Sequence, residues 1–202
     1  RDTQWNKRTG ELLLPLEPEL PEFADADHYD DVYAPKDIRL VSAGKPVTGS
    51  ASKPVSGSLN EVTDGAIMKG NRGQVTLPEG RQWIQLDLEG AFRVYAVMIW
   101  HAPDTGRTYR DVVVRLSESG EFGNGAQTVF NNDVDNSSGL GRGLDGEWVE
   151  SPNGKLIETD GMKARYVRIY SNGNSRNALN HYAEVRVYGV SVAEDTTDRS
   201  GQ

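Results

Sequence analysis

Residues 82–88 read Gln82-Trp83-Ile84-Gln85-Leu86-Asp87-Leu88, polar and apolar in alternation. Successive side chains of an extended chain point to opposite faces, so this period of two predicts a half-buried strand. Just downstream, Val94–Trp100 reads VYAVMIW, a denser apolar run suited to a strand covered on both faces. Asp111-Val112-Val113-Val114-Arg115-Leu116 follows a Pro-Asp-Thr-Gly turn. Lys163–Tyr170 (KARYVRIY) and Ala183–Tyr188 (AEVRVY) alternate again, with Val, Ile and Tyr on one side and Arg on the other. No segment keeps a helical apolar period, and no internal repeat is visible. Strands punctuated by turns over this length predict an all-β sandwich.

The 202 residues suffice for one domain of roughly 150 residues and an appendage. With 22 glycines and 9 prolines the composition suits a turn-rich architecture. No apolar run approaches the roughly 20 residues that span a bilayer. The opening Arg1-Asp2-Thr3-Gln4 lacks the shape of a secretion signal, which says little because such signals are removed from mature chains. A net charge of −8 repels phosphate backbones, so nucleic acid is not an expected partner. The same carboxylates suit hard divalent cations. Cysteine is absent, which excludes disulfides, thiolate metal sites and cysteine nucleophiles.

Three segments are expected. Residues 1–36 form an extended, proline-rich acidic N-terminal arm or tail: Pro15, Pro18 and Pro21 recur every third residue and favour polyproline-like backbone, and Asp25–Asp31 adds an acidic cluster. Its leucines suit an arm lying against a surface. Residues 37–190 form the sandwich and 191–202 a polar tail. Within the sandwich, Asn131–Lys155 is rich in Asn, Asp and Gly, and a loop of that length in a compact domain is functional or mobile.

Three stretches carry a family resemblance: Val62-Thr63-Asp64-Gly65; Trp83-Ile84-Gln85-Leu86-Asp87-Leu88; and Ala164–Ile169 with Ala183–Gly189. In order and spacing they resemble the discoidin, or coagulation factor V/VIII type C, family, close to family 32 carbohydrate-binding modules. FNNDVDNSSGLG (130–141) and RIYSNGNSRNALNHY (168–182) look like a variant found in large secreted proteins of planctomycete-type bacteria. The resemblance implies a jelly-roll β-sandwich with ligand loops at one end, and a secreted setting, extracellular or periplasmic. Relatives of this fold bind sugars, lipid surfaces or proteins, so fold alone does not fix function.

The resemblance also implies a structural calcium, with Asp64 and Glu184 at the family's ligand positions. Calcium takes about six to eight oxygens, so carbonyls such as those of Glu61 and Ile67 would complete the shell. Lys69 departs from the family's Ser or Thr at that point; alternatively, Asp64 simply closes a turn with Gly65. Asp133 and Asp135, with Asn131 and Asn136, resemble calcium-loop chemistry, but the EF-hand pattern is absent and a self-hydrogen-bonded loop is the expectation. For a carbohydrate, the planar hydrogen-bonding and aromatic groups expected at the loops are His101, Arg107 and Tyr109, joined by Asn172, Asn174, His181 and Tyr182. Read structurally, the same Asn-rich stretch is a run of turns, and His101 a hydrogen-bonded strand end. Trp83, Trp100, Tyr166 and Tyr170 are expected in the core, and Asp87 with Arg168 as a structural ion pair.

No zinc-binding HExxH, GxSxG, P-loop or GxGxxG is present, and Gly139-Leu140-Gly141-Arg142-Gly143 lacks a strand-to-helix setting. The expectation is a non-catalytic module recognising a glycan or cell-surface polysaccharide. The alternative is a structural subunit docking into a larger assembly through residues 1–36. Membrane insertion is not expected, because the loops lack obvious apolar spikes.

Overall fold

The computed structural model describes residues 12–13, 33–67, 73–102 and 106–192. The proline repeat, the acidic cluster, Lys69 and the polar tail beyond Val192 lie outside them. Strands run in chain order as β1 (Leu12–Leu13), β2 (Tyr33–Ala34), β3 (Arg39–Leu40), β4 (Val47–Gly49), β5 (Val75–Leu77), β6 (Gln82–Trp100) and β7 (Thr108–Tyr109). They continue as β8 (Val113–Ser117), β9 (Gln127–Asn131), β10 (Trp148–Val149), β11 (Lys155–Ser171), β12 (Asn180–Tyr182) and β13 (Glu184–Ser191). The one helical element among the described residues is a 3-10 turn, Leu59–Thr63.

The two long strands, β6 and β11, are antiparallel partners along almost their whole length, from Lys155↔Ile99 to Ser171↔Gln82. The register shifts midway, between Glu158 and Met162 and between Ala164 and Tyr166. On one side of these shifts β6 also pairs with β4 and β11 with β8, which continues to β9; on the other β6 pairs with β13, which continues to β3. The two halves enclose one core, in which Ile84, Leu86 and Leu88 meet Val97, Ile99, Val114, Leu116, Val185 and Val187.

A change of face within β6 explains its dense apolar run. Residues 84, 86, 88 and 94 point into the main core, but then 97 and 99 do. Between them the ladder skips Tyr95: Val94 faces Gly189, and Ala96 faces Tyr188. One extra residue in a strand bulges and exchanges its faces. After the bulge Ala96, Met98 and Trp100 turn to the outer face, where Ala34, Ile67, Ala183 and Tyr188 bury them in a second apolar cluster. Of the arm, Ala34 thus lies against the domain itself, buried in that cluster with Ile38 of the sandwich beside it.

A register shift corrects an expected contact. Between Ala164 and Tyr166 the single Arg165 of β11 stands opposite residues 88–91 of β6. Its guanidinium grips Asp87 with two bonds of 2.8 and 2.9 Å and holds that carboxyl below its ordinary range. Arg168 therefore does not pair with Asp87. It bonds Gln85 and the Gly120 carbonyl, and lies between the rings of Trp83 (4.4 Å) and Phe122 (4.1 Å). Trp100 and Tyr170 are core residues as expected, whereas Trp83 and Tyr166 are half-buried and stack against arginines.

Trp100 donates its indole N–H to the Pro152 carbonyl at 2.9 Å, and Gly154 turns directly over the ring with φ +72°. A Cβ on Gly154 would lie 2.6 Å from that ring. Gly154→Ala should therefore cost on the order of 1–3 kcal/mol, through left-handed backbone plus displacement of Trp100. Equilibrium denaturant unfolding should show a lower midpoint with an unchanged slope; an unchanged midpoint would mean Gly154 is not constrained in this way.

Candidate functional site

One end of the sandwich gathers the short strands and the long loop. β7 pairs with β10, and β12 pairs with β5, so segments distant in sequence converge just beyond the ends of β6 and β11. The turn after β11 is fastened to β7: Asn172 N–H donates to the Arg110 carbonyl, Arg110 N–H to Gly173, and Ser175 N–H to Thr108.

The ring-bearing residues singled out in the sequence meet here. His101 stacks on Tyr109 with centroids 4.2 Å apart and lies 5.1 Å from Tyr182. The Tyr109 hydroxyl lies 3.1 Å from His181 Nδ1, and Arg107 approaches the same nitrogen at 3.3 Å. Because a guanidinium only donates, that nitrogen acts as acceptor, which puts the neutral imidazole's proton on Nε2. Tyr182 donates or accepts at the Ser171 hydroxyl, 2.8 Å away, and burial pushes its phenol well above the ordinary range. His101, Tyr109 and Tyr182 are at most 1% exposed. Their faces meet one another and not solvent, so they form a floor. Asn174 is buried too, its amide donating to Asn177 and the Leu179 carbonyl. Arg107 and Asn172 are half-buried, and Arg110, Arg176 and Asn177 are exposed, so the rim carries guanidinium and amide groups.

Two residues of this floor were missed in the sequence. Trp148 meets the His101 ring edge-on at 4.8 Å. Glu150 accepts the Trp148 indole N–H at 3.1 Å and the His101 backbone N–H at 3.1 Å, and its carboxylate lies 3.3 Å from His101 Nδ1. Both partners of that pair are fully enclosed. The Glu147-Trp148-Val149-Glu150 stretch alternates, which was the available signal, but it sits at the end of a glycine-rich loop.

The loop from Asn131 to Asp145 is held by its own side chains. Asp133, fully buried, accepts the backbone N–H groups of Ser137 and Ser138 at 3.0 and 2.8 Å. These bonds outweigh desolvation and keep the carboxyl ionised below its ordinary range. Asp111 joins through the Ser137 hydroxyl and the Asn172 amide. Asp111, Asp133 and Asp135 bring one carboxylate oxygen each within 4.8 Å of one another, which is cation-compatible spacing. Gly143 packs where any Cβ would overlap the Asn131 carbonyl. Next to it Leu144 is 99% exposed, an apolar tip the sequence reading overlooked. One leucine offers about 1.5–3 kcal/mol on burial, and exposed Asp145 and Glu147 follow it, so membrane insertion gains little.

The calcium residues expected from sequence lie elsewhere, at the second apolar cluster. Glu184, 2% exposed, accepts the Gly65 N–H at 3.2 Å, and Arg186 stands 3.7 Å away. Burial, with a contribution from nearby Asp64, pushes its carboxyl up to about 7. Asp64 also accepts the Ala66 N–H at 2.9 Å, closing the turn. Glu61 spends its carboxylate on the Ser58 N–H in a capping box, leaving only its carbonyl for a metal. Ile67 is buried beside them. Two carboxylates, one deeply buried and only partly compensated by Arg186, form a donor set that fits a hard cation.

No protein-family model matches the sequence, and no curated protein matches it. Solved structures do. The family 32 carbohydrate-binding module of AlyQ, in complex with 4,5-unsaturated mannuronic acid, is 22% identical with a TM-score of 0.51, over 70% of this chain and 92% of that one. Chitosan-binding module 1 of a chitosanase/glucanase from Paenibacillus sp. IK-5 is 18% identical with a TM-score of 0.54, over 75% and 99%. A family 89 glycoside hydrolase from Clostridium perfringens is 19% identical with a TM-score of 0.56, over 76% of this chain but 15% of its own length. The chain thus spans a small part of that hydrolase, and nearly the whole of the isolated binding modules. At these identities the likeness establishes the fold: the chain has the discoidin-like, galactose-binding-like jelly-roll fold of family 32 carbohydrate-binding modules.

Proposed function

We propose that the chain is a non-catalytic carbohydrate-binding module, working outside the cytoplasm, that takes its sugar at the loop end of the sandwich. The observation that carries this reading is the rigid floor of His101, Tyr109, His181 and Tyr182 beneath a rim of Arg107, Asn172 and Arg176. A preorganised rim of planar donors is what recognition of sugar hydroxyls and carboxylates requires, since ordering those groups after binding would cost affinity. His101 and Glu150 are sealed from solvent and offer no general acid or base to a substrate. Ala34 of the arm lies in the chain's own apolar cluster, which favours a self-contained module over a subunit docking through residues 1–36.

A glycan array that includes uronate polymers and chitosan should yield at least one ligand for the purified chain. Arg107→Ala and Asn172→Ala should each weaken that binding by about tenfold or more, the scale of one hydrogen bond to a charged group. Binding to no glycan, with the fold intact and calcium present, would shift the reading to the assembly subunit.

Within the same reading, a calcium bound by Asp64 and Glu184 stabilises the loop at Gly65. Glu184 has a folded pKa of about 7 against an ordinary 4.5, so its contribution to stability is present below 4.5 and fades as pH rises through about 7. In chelator, the wild-type melting temperature should fall across that window relative to Glu184→Gln. Calcium, binding only the carboxylate, should raise the wild-type melting temperature, most at the alkaline end, and leave Glu184→Gln unmoved. Identical melts with calcium and with chelator would remove the metal.

A further inference from the structure

Asn-Gly occurs three times among the described residues: Asn124-Gly125, Asn153-Gly154 and Asn172-Gly173. The dipeptide is chemically labile because glycine, with no Cβ, lets its own backbone nitrogen reach the preceding side-chain carbonyl. The reaction needs that nitrogen unprotonated and free to move, and the side-chain amide free to turn towards it. Structure therefore decides which of the three pairs can react.

Two are locked. Gly154 donates its N–H to the Ser151 carbonyl at 3.1 Å, packs against Trp100, and the Asn153 side-chain oxygen is buried. Gly173 donates its N–H to the Asn180 side chain at 2.8 Å, while the Asn172 amide donates to Asp111 at 2.9 Å. In both, attack would require breaking a hydrogen bond and moving packed neighbours. The third stands open. Asn124 and Gly125 are the two central residues of an exposed turn closed by Ala126 N–H donating to the Gly123 carbonyl at 3.1 Å. The Asn124 side chain and the Gly125 N–H take part in none of the hydrogen bonds found among the described residues, and a Cβ on Gly125 would meet nothing within 4 Å.

We infer that Asn124 is a site of spontaneous covalent modification, converting through a cyclic imide to aspartate and isoaspartate with water as the only co-reactant. The Gly125 nitrogen, having lost its proton, forms a bond to the Asn124 side-chain carbonyl carbon, and the amide nitrogen leaves as ammonia. Water then opens the imide at either carbonyl. One opening gives aspartate; the other routes the backbone through the side chain and adds a backbone atom. Either product places a carboxylate in the loop that seats Phe122 on Arg168 and whose Ala126 carbonyl accepts from Arg115 at 3.3 Å. Neither arginine has an ion-pair partner among the described residues. The modification thus adds a negative charge to a loop that touches two guanidinium groups through Phe122 and Ala126.

The test is peptide mapping by mass spectrometry of the full chain aged in mildly alkaline buffer, with isoaspartyl methyltransferase labelling to identify the rearranged product. Asn124 should convert at least about tenfold faster than Asn153 or Asn172 in the folded chain, a barrier difference of roughly 1.4 kcal/mol, and the three rates should draw together in denaturant. Gly125→Ala, which the open turn accommodates, should slow conversion at Asn124 without lowering the unfolding midpoint. Equal rates in the folded chain, or faster conversion at Asn153 or Asn172, would overturn the assignment. So would an Asn124 that persists in the folded chain while the denatured chain converts.

Discussion

The antiparallel ladder between β6 and β11 is the constraint on which the rest depends. Both strands are long enough to run through both halves of the sandwich, and their register shifts where they pass between them. Every other strand of the main sheet is positioned by one of these two, directly or through one neighbour. Non-local pairing of this kind must be formed at a high entropic cost before it is rewarded by burial. The inward residues that reward it are aliphatic: Ile84, Leu86 and Leu88 on one strand, Val167 and Ile169 on the other.

At the loop end the principle changes from apolar packing to satisfied polarity. Asp133, Asn131 and Asn180 are buried, yet each is bonded to backbone groups of the loops it fixes. An unpaired buried polar group would cost more than such a bond contributes, so these side chains specify a single loop geometry. Asn180 reaches the Pro78 and Gly80 carbonyls at 2.7 and 2.9 Å, while its oxygen accepts from Ser171 and Gly173. One amide therefore ties the turn before β6 to the turn after β11. The exposed groups of the rim rest on a frame that binding need not order.

The sandwich was legible in the sequence because period-two alternation is a direct image of the pleat, as in residues 82–88. The face change at Tyr95 was not: a bulge adds one residue without any compositional mark, and VYAVMIW reads alike with or without it. The same blindness produced the expected Asp87–Arg168 pair, since only the register shift opposite Arg165 decides which arginine reaches the carboxylate. At the loop end, residue types were legible and exposure was not. Tyr109 and His181 looked like ligand groups, but whether a ring faces solvent depends on Trp148 and Glu150, which arrive from a stretch that reads as loop.

Three indoles are spread over the described molecule in three electrically different settings. Trp83 lies under the Arg168 guanidinium, Trp100 under that of Arg186 beside the Glu184 carboxyl, and Trp148 against the His101 imidazole in the loop-end floor. Each is near a different functional element: the β8–β9 loop, the proposed cation position and the proposed sugar site. Indole emission responds to nearby charge and to quenching by neighbouring side chains. These three indoles are therefore built-in optical reporters, one per region, and replacing each singly with phenylalanine in a chain that also lacks Trp5, the fourth indole, would assign each part of the fluorescence without any attached dye.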